Sequence, residues 1–296
     1  MILITGLLIL LHACIKEDLS GCGITTLEVH YVNNAMNPDS YLTEVNKLDL
    51  FVFDHKGRMI DRIIKEGVRL NSSNPVFRIT LPYQSGSFHF VVWGNLNEDY
   101  DFLEQEQLTI ENARLSLKVN DNQVLRHPAA LYHGKLAANL IAGETHKIVL
   151  MKNTNKITVA VKGLLPETGW NEDSNLTCRI ESTNGNYKFD NSLADNRRII
   201  YIPETLVEET SLISDFVVMR MFPEDNTRLK IVSAAGNERE KVWFDQHLPS
   251  LILKNPNLNL DRDDYFYVEI VWDRSSMTAT VMINGWIVYE QGGIIG

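Results

Sequence analysis

Apolar and polar residues alternate in short stretches along almost the whole chain, with turn-forming residues between them. In "TTLEVHYV", Leu27, Val29 and Tyr31 point one way while Glu28 and His30 point the other. In "KITVAVK", Ile157, Val159 and Val161 form one face and Thr158, Ala160 and Lys162 the opposite one. "FYVEIVW" groups Phe266, Val268, Ile270 and Trp272 against Tyr267 and Glu269. A period of two is the pattern of a strand with one dry and one wet face. Turn chemistry agrees. Asn284-Gly285 sits between two apolar runs, where a type I′ turn needs positive φ at both residues. Asn184-Gly185 repeats the pair, and "LDLFVFDHKGRMIDRII" predicts a third hairpin with Gly57 in a longer turn. Helix signals are confined to residues 97–107 and to a short piece at 245–251 broken by Pro249. Strands recurring about every 8–12 residues predict an all-β fold of sandwiches or barrels.

With 296 residues the chain is long enough for two such units. The polar "KNTNK" at residues 152–156, between two predicted strands, is the natural boundary. Two β-sandwich domains are therefore expected, at 24–151 and 152–296, joined by a short linker. Each must pair or shield its edge strands.

The one long apolar run, "LLILLHACIKED" at residues 7–18, is too short to span a bilayer as a helix, which takes about 20 apolar residues. It fits the core of a secretory signal, although no Lys or Arg precedes it. Ordinary cleavage after A-x-A is met poorly, because Leu11 stands where a small residue belongs. Leu11-His12-Ala13-Cys14 instead follows the bacterial lipoprotein pattern Leu-x-(Ala/Gly)-Cys, with His12 as its one departure. On this reading residues 1–13 are a signal peptide and 14–23 a lipidated tether. Cys14 then carries acyl chains, palmitate among them, on sulfur and nitrogen; the alternative is an incidental buried thiol. Several acyl chains, at roughly 0.8 kcal/mol per buried methylene, hold where one would not. Lys16, Glu17 and Asp18 resemble the surface-export signal of Bacteroidetes lipoproteins, or form a solvated tether.

A net charge of −10, with no basic cluster to reverse it, excludes nucleic acid as a partner. No phosphate-binding glycine loop, nucleophile elbow or zinc-protease motif is present. The three carboxylates of "LDRDDY" at 260–265 read as a solvated loop leading into a strand before they read as a calcium site, which takes about six or more oxygen ligands. "DRSSM" at 273–277 resembles the adhesion-site pattern DxSxS, but Met277 stands where the second serine belongs. His127, His133 and His146 lack helical ligand spacing and are expected at the surface or as caps. Cys22 and Cys178 are free to pair in an oxidising compartment or to stay apart, Cys178 then being buried. Trp93 and Trp272 end apolar strands and are expected in the core, while Trp286 and Trp170 are candidate exposed platforms. No catalytic set, metal site, cofactor or small-molecule substrate is expected. A lipid-anchored, acidic, double-sandwich chain without active-site signatures reads most simply as a binding or structural component.

Six segments, "CIKEDLSGC", "VNKLDLFVFDHKGRMI", "FHFVVWGNLN", "ALYHGKL", "MKNTNKITVAVKGL" and "DYFYVEIVW … INGWIV", together resemble the FimB-type fimbrial anchor lipoproteins of Bacteroidales over nearly the whole chain. The resemblance implies two transthyretin-like β-sandwich domains in tandem. It also implies a non-catalytic subunit that ties a fimbrium to the outer membrane at the cell surface and limits its length. Its partners would be fimbrial shaft subunits, joined by β-strand complementation. The last hairpin is the candidate partner-binding element, through Val281, Ile283, Trp286, Ile287 and Tyr289, or else an ordinary core hairpin. A surface glycan-binding lipoprotein is the alternative function.

Overall fold

The structure, a computed structural model, describes residues 23–32, 44–102, 107–164, 176–208, 210–233, 240–273, 275–276 and 278–291. The signal segment, Cys14, the Lys16-Glu17-Asp18 triplet, Cys22 and Trp170 lie outside the described residues. The first half of the chain supplies β1 (Thr25–Tyr31), β2 (Val45–Phe53), β3 (Met59–Leu70), β4 (Val76–Leu81) and β5 (Gly86–Gly94). It continues with β6 (Tyr100–Phe102), β7 (Arg114–Leu117), β8 (Gln123–Val124), β9 (Tyr132–Leu140) and β10 (Thr145–Lys152). The second half supplies β11 (Thr154–Lys162), β12 (Leu176–Ser182), β13 (Asn186–Lys188), β14 (Ile199–Tyr201), β15 (Glu204–Glu208) and β16 (Ser211–Met219). Then come β17 (Arg228–Ser233), β18 (Lys241–His247), the helix α1 (Leu248–Ile252), β19 (Tyr265–Asp273), β20 (Thr278–Ile283) and β21 (Trp286–Gln291).

Seven strands in the order β3-β2-β5-β9-β10-β1-β4 form the first sheet. Its two outermost strands, β3 and β4, are joined by a tight turn in which Asn71 and Asn74 exchange backbone bonds of 3.2 Å. The sheet is thus nearly closed, like a barrel, around Leu27, Val29, Leu48, Leu50, Val52, Phe90, Val92 and Ile148. In the second half, a six-stranded sheet (β15-β16-β11-β19-β20-β21) and a five-stranded sheet (β18-β17-β12-β14-β8) pack into a common core. A small sheet, β13-β7-β6, completes the fold. The alternation expected of β1 and β19 holds: Leu27, Val29, Val268 and Ile270 are fully buried. Ala160, expected on a wet face, is only 2% exposed, because β11 lies centrally between β16 and β19.

The two halves share strands and core. β8 extends the five-stranded sheet through Ile200↔Gln123 and Tyr201↔Val124, and β7 pairs with β13. Phe51, Phe53, Val91 and Trp93, on the outer side of the barrel-like sheet, pack in the same cluster as Phe189 and the second-half core. Asp49, fully buried on β2, is held there by Arg62, whose Nη2 and Nε donate at 2.6 and 3.1 Å. The guanidinium also lies 5.0 Å from the Phe51 ring centroid. The "KNTNK" stretch, expected to be a polar linker, is buried: Asn153, Thr154 and Asn155 are at most 3% exposed. The Asn153 backbone and the Asn155 side chain are used at the crossing. Asn153 N donates to Leu131 O at 2.6 Å, its carbonyl accepts from Arg220 N, and Asn155 Oδ1 accepts from Met221 N.

Three local expectations are corrected. Asn184-Gly185 is not a hairpin turn: neither residue has positive φ, β12 pairs with β14 and β17, and β13 pairs with β7. Asn184 is buried, and its amide satisfies the carbonyls of Met219 and Arg220 while accepting from the Tyr201 hydroxyl. Residues 97–107 are not a helix over the part described, since Tyr100–Phe102 is a strand paired with β7. Pro249 starts α1 instead of breaking it: at N1 or N2 its missing N–H removes nothing from the helix ladder.

Candidate partner-binding edge

The last hairpin forms one edge of the six-stranded sheet. Asn284 (φ 48°) and Gly285 (φ 80°) make the two-residue turn, with Ile283 opposite Trp286. The Asn284 side chain accepts from Tyr267 N at 2.7 Å and its own N–H donates to Tyr267 O, so the turn is pinned to β19. Asn255, beyond α1, donates to Ile283 O at 3.0 Å from the other side.

The five candidate residues separate by face. Val281 and Ile283 on β20 are fully buried in the second-half core. Trp286 and Ile287 on β21 are 48% and 56% exposed. Tyr289 is half-buried against the core, with Lys254 Nζ 5.2 Å from its ring centroid. A register shift between Val281 and Met282 places Ile287 opposite Met282 and Tyr289 opposite Val281. Leu253, at the end of α1 and 42% exposed, is a further exposed apolar residue in this region that pattern reading missed. Nothing local links "LPSLIL" to the final hairpin; only the fold brings α1 against β21.

Among the described residues β21 pairs only with β20, so its other side offers unpaired backbone N–H and C=O groups. An added strand would gain about 0.5–1.5 kcal/mol per hydrogen bond, and covering the exposed half of Trp286 or Ile287 about 1 kcal/mol each. The opposite edge, β15, is different. Glu204 and Glu208 flank the 55% exposed Leu206 there, and charged side chains on an edge discourage pairing.

The other singled-out groups serve structure. Asp261 pairs with Arg220 at 2.5 Å, Asp264 with Lys152 at 2.9 Å, and Asp263 with Arg262 at 3.0 Å. Asp273 accepts from the Ser275 and Ser276 hydroxyls, both at 2.7 Å, and these bonds hold its pKa down at about 2. Among the described residues no group of three or more His, Cys, Asp or Glu is arranged to hold a metal ion. His127 bonds Asp215 O and His146 lies 3.7 Å from Glu144. His133, expected at the surface or as a cap, is 5% exposed beside Trp93 and donates to Phe189 O at 3.0 Å. Burial pushes its pKa down to about 4, so the ring is neutral. Cys178 is buried and unpaired, and burial pushes its thiol up to about 12. Trp93 and Trp272 are in the core. Trp243, not singled out from the sequence, is half-buried with Lys241 Nζ 3.6 Å over its ring. Open clefts of about 590 and 580 Å³ flank the small sheet, and neither is lined by a histidine or cysteine.

A family described as Mfa2, fimbrillin-A associated anchor proteins Mfa1 and Mfa2, matches residues 19–292. The chain is 25% identical to the minor fimbrium anchoring subunit Mfa2 of Porphyromonas gingivalis, over 86% of this chain and 82% of that protein. To the major fimbrium anchoring subunit FimB of the same organism it is 26% identical, over 54% of this chain and 55% of that protein. The solved structure of the Mfa2 fimbrial anchor superposes with a TM-score of 0.73 at 22% identity, covering 90% of this chain and all of the other.

Proposed function

Because this chain belongs to the family of fimbrial anchor proteins Mfa1 and Mfa2, a structural and non-catalytic group, we propose that it tethers a fimbrium to the outer membrane. The observation that carries the reading is the family match over residues 19–292, which runs through both halves and the final hairpin. Cys14, five residues before the matched region, is the proposed lipid attachment, with 1–13 as the signal peptide and 14–23 as the tether. Lys16, Glu17 and Asp18 are proposed to direct the lipoprotein to the outer surface. The folded part is read as two transthyretin-like β-sandwiches in tandem, 24–151 and 152–296. The facing six- and five-stranded sheets, the latter extended by β8 of the first half, support the second of these sandwiches.

The proposed partners are fimbrial shaft subunits, joined by strand complementation at β21. Trp286 and Ile287 would contact the added strand, and Tyr289 and the buried Val281 and Ile283 would hold the edge in shape. Backbone pairing supplies affinity and the exposed side chains supply register. Capping the first subunit in this way would also bear on fimbrial length.

The test is made in the native host. Deleting the gene should release fimbriae into the medium, and Cys14→Ala should reproduce the release with the anchor itself lost from the membrane. Ile287→Lys should leave the anchor in the membrane and abolish co-purification of shaft subunits. Fimbriae retained normally in the deletion strain would sink the proposal.

A further inference from the structure

The strand registers give the molecule a direction. β1 runs parallel to β10, from Thr26↔Thr145 to Tyr31↔Leu150, and antiparallel to β4 on its other side. A single residue, Asn153, separates β10 from β11. One residue cannot reverse the chain, since even the tightest hairpin takes two, and the two strands lie in different sheets. β11 therefore carries on, away from the barrel-like sheet, as a central strand of the six-stranded one. It pairs with β16 from Thr154↔Met219 to Lys162↔Ser211 and with β19 from Lys156↔Tyr265 to Lys162↔Val271. β21 runs in the same sense and finishes with Gln291 opposite Ala279, which faces Trp272 beside the end of β11. The start of β1 and the end of β21 thus lie at opposite ends of the molecule.

We propose that this chain is a force-bearing coupler: a pull between its N-terminal segment and β21 loads the strands along their length. The proposal rests on the anchor reading, which places the membrane at one end and the fimbrium at the other. A pull along β1 has to shear its bonds to β10 and β4 together, whereas a pull across the strands opens them one at a time. The side chains add to this resistance. Leu27 and Val29 are fully buried, and Glu28 on β1 binds Arg78 on β4 at 2.8–2.9 Å. The joint between the halves is where a two-part load path would be weakest, and it is buried and cross-braced. Asn153 is clasped by Leu131 and Arg220, Lys152 pairs with Asp264, and Asn155 holds Met221 N.

Single-molecule force spectroscopy tests this on the chain from Cys14 onward, unlipidated, with Cys22→Ser. In one geometry the handles are on Cys14 and a C-terminal tag, so β1 and β21 are sheared. In the other they are on Cys14 and Glu144→Cys, so β1 and β10 are pulled apart from their neighbouring first residues. The end-to-end geometry should withstand at least about threefold more force than the second, forced unfolding being set by the barrier along the pulled path. Equal rupture forces, or β21 stripping off alone at the lower force, would overturn the coupler. Because the measurement needs no partner, weak shear resistance with intact subunit capture defeats this proposal alone. Strong resistance with capture lost defeats only the docking edge.

Discussion

Two Asn-Gly pairs in this chain have opposite fates. At Asn284-Gly285 both residues take positive φ at an exposed turn, and open space surrounds the glycine. At Asn184-Gly185 neither does; the asparagine is fully buried, and a Cβ on Gly185 would lie 3.0 Å from Ile199 Cδ1. One pair reverses the chain, and the other passes through the core shared by the halves. The same dipeptide is a turn where it stays in water. Where strands from elsewhere need its amide, it becomes an interior hydrogen-bonding device.

The largest expected effect separates the two asparagines. Asn184→Ala removes the donor to the Met219 and Arg220 carbonyls and the acceptor of the Tyr201 hydroxyl, and should cost about 4 kcal/mol in urea unfolding. Asn284→Ala loses one exposed bond to Tyr267 N and puts alanine in a left-handed conformation that asparagine tolerates, and should cost about 2 kcal/mol. Equal losses would break the comparison.

Acid should act on the buried segment that begins at Asn184 and leave the exposed turn alone. His133 donates to Phe189 O within that segment, and its pKa falls from 6.5 unfolded to about 4 folded. The unfolded chain therefore binds the extra proton between these values. Stability is fully present above pH 6.5 and falls by about 3 kcal/mol as pH drops through 4. His133→Gln should flatten that part of the profile, whereas Asn284→Ala should leave its shape unchanged. Denaturation curves at pH 7, 5 and 4 read this directly.

The smallest effects concern the glycines, whose causes differ. Gly285→Ala should cost about 1–2 kcal/mol from the left-handed backbone alone. Gly185→Ala should cost a similar amount by crowding Ile199, and only this loss should be relieved in the double variant with Ile199→Val. Relief of both, or of neither, would remove the distinction.

Much of the strand content was legible because a half-buried strand needs nothing beyond its own alternation, as in residues 25–31 and 265–273. The hairpin at Gly57 was legible for a similar reason: that glycine adopts φ 74° within a local turn between β2 and β3. The candidate edge was legible only in part. The final hairpin could be drawn from sequence, but the exposure of Ile287 beside the burial of Val281 could not.

The amino-acid sequence by itself determined an all-β chain and the local turns at Gly57 and Asn284-Gly285. Periodicity, φ preference and a two-residue loop act over a few neighbouring residues. Only the tertiary structure decided that β7 would pair with β13 and β8 with β14, that "KNTNK" would be an interior crossing, and that Val281 would be buried while Ile287 stays exposed. Those outcomes depend on which distant strands compete for the same backbone bonds and the same dry surface. No short stretch carries that information.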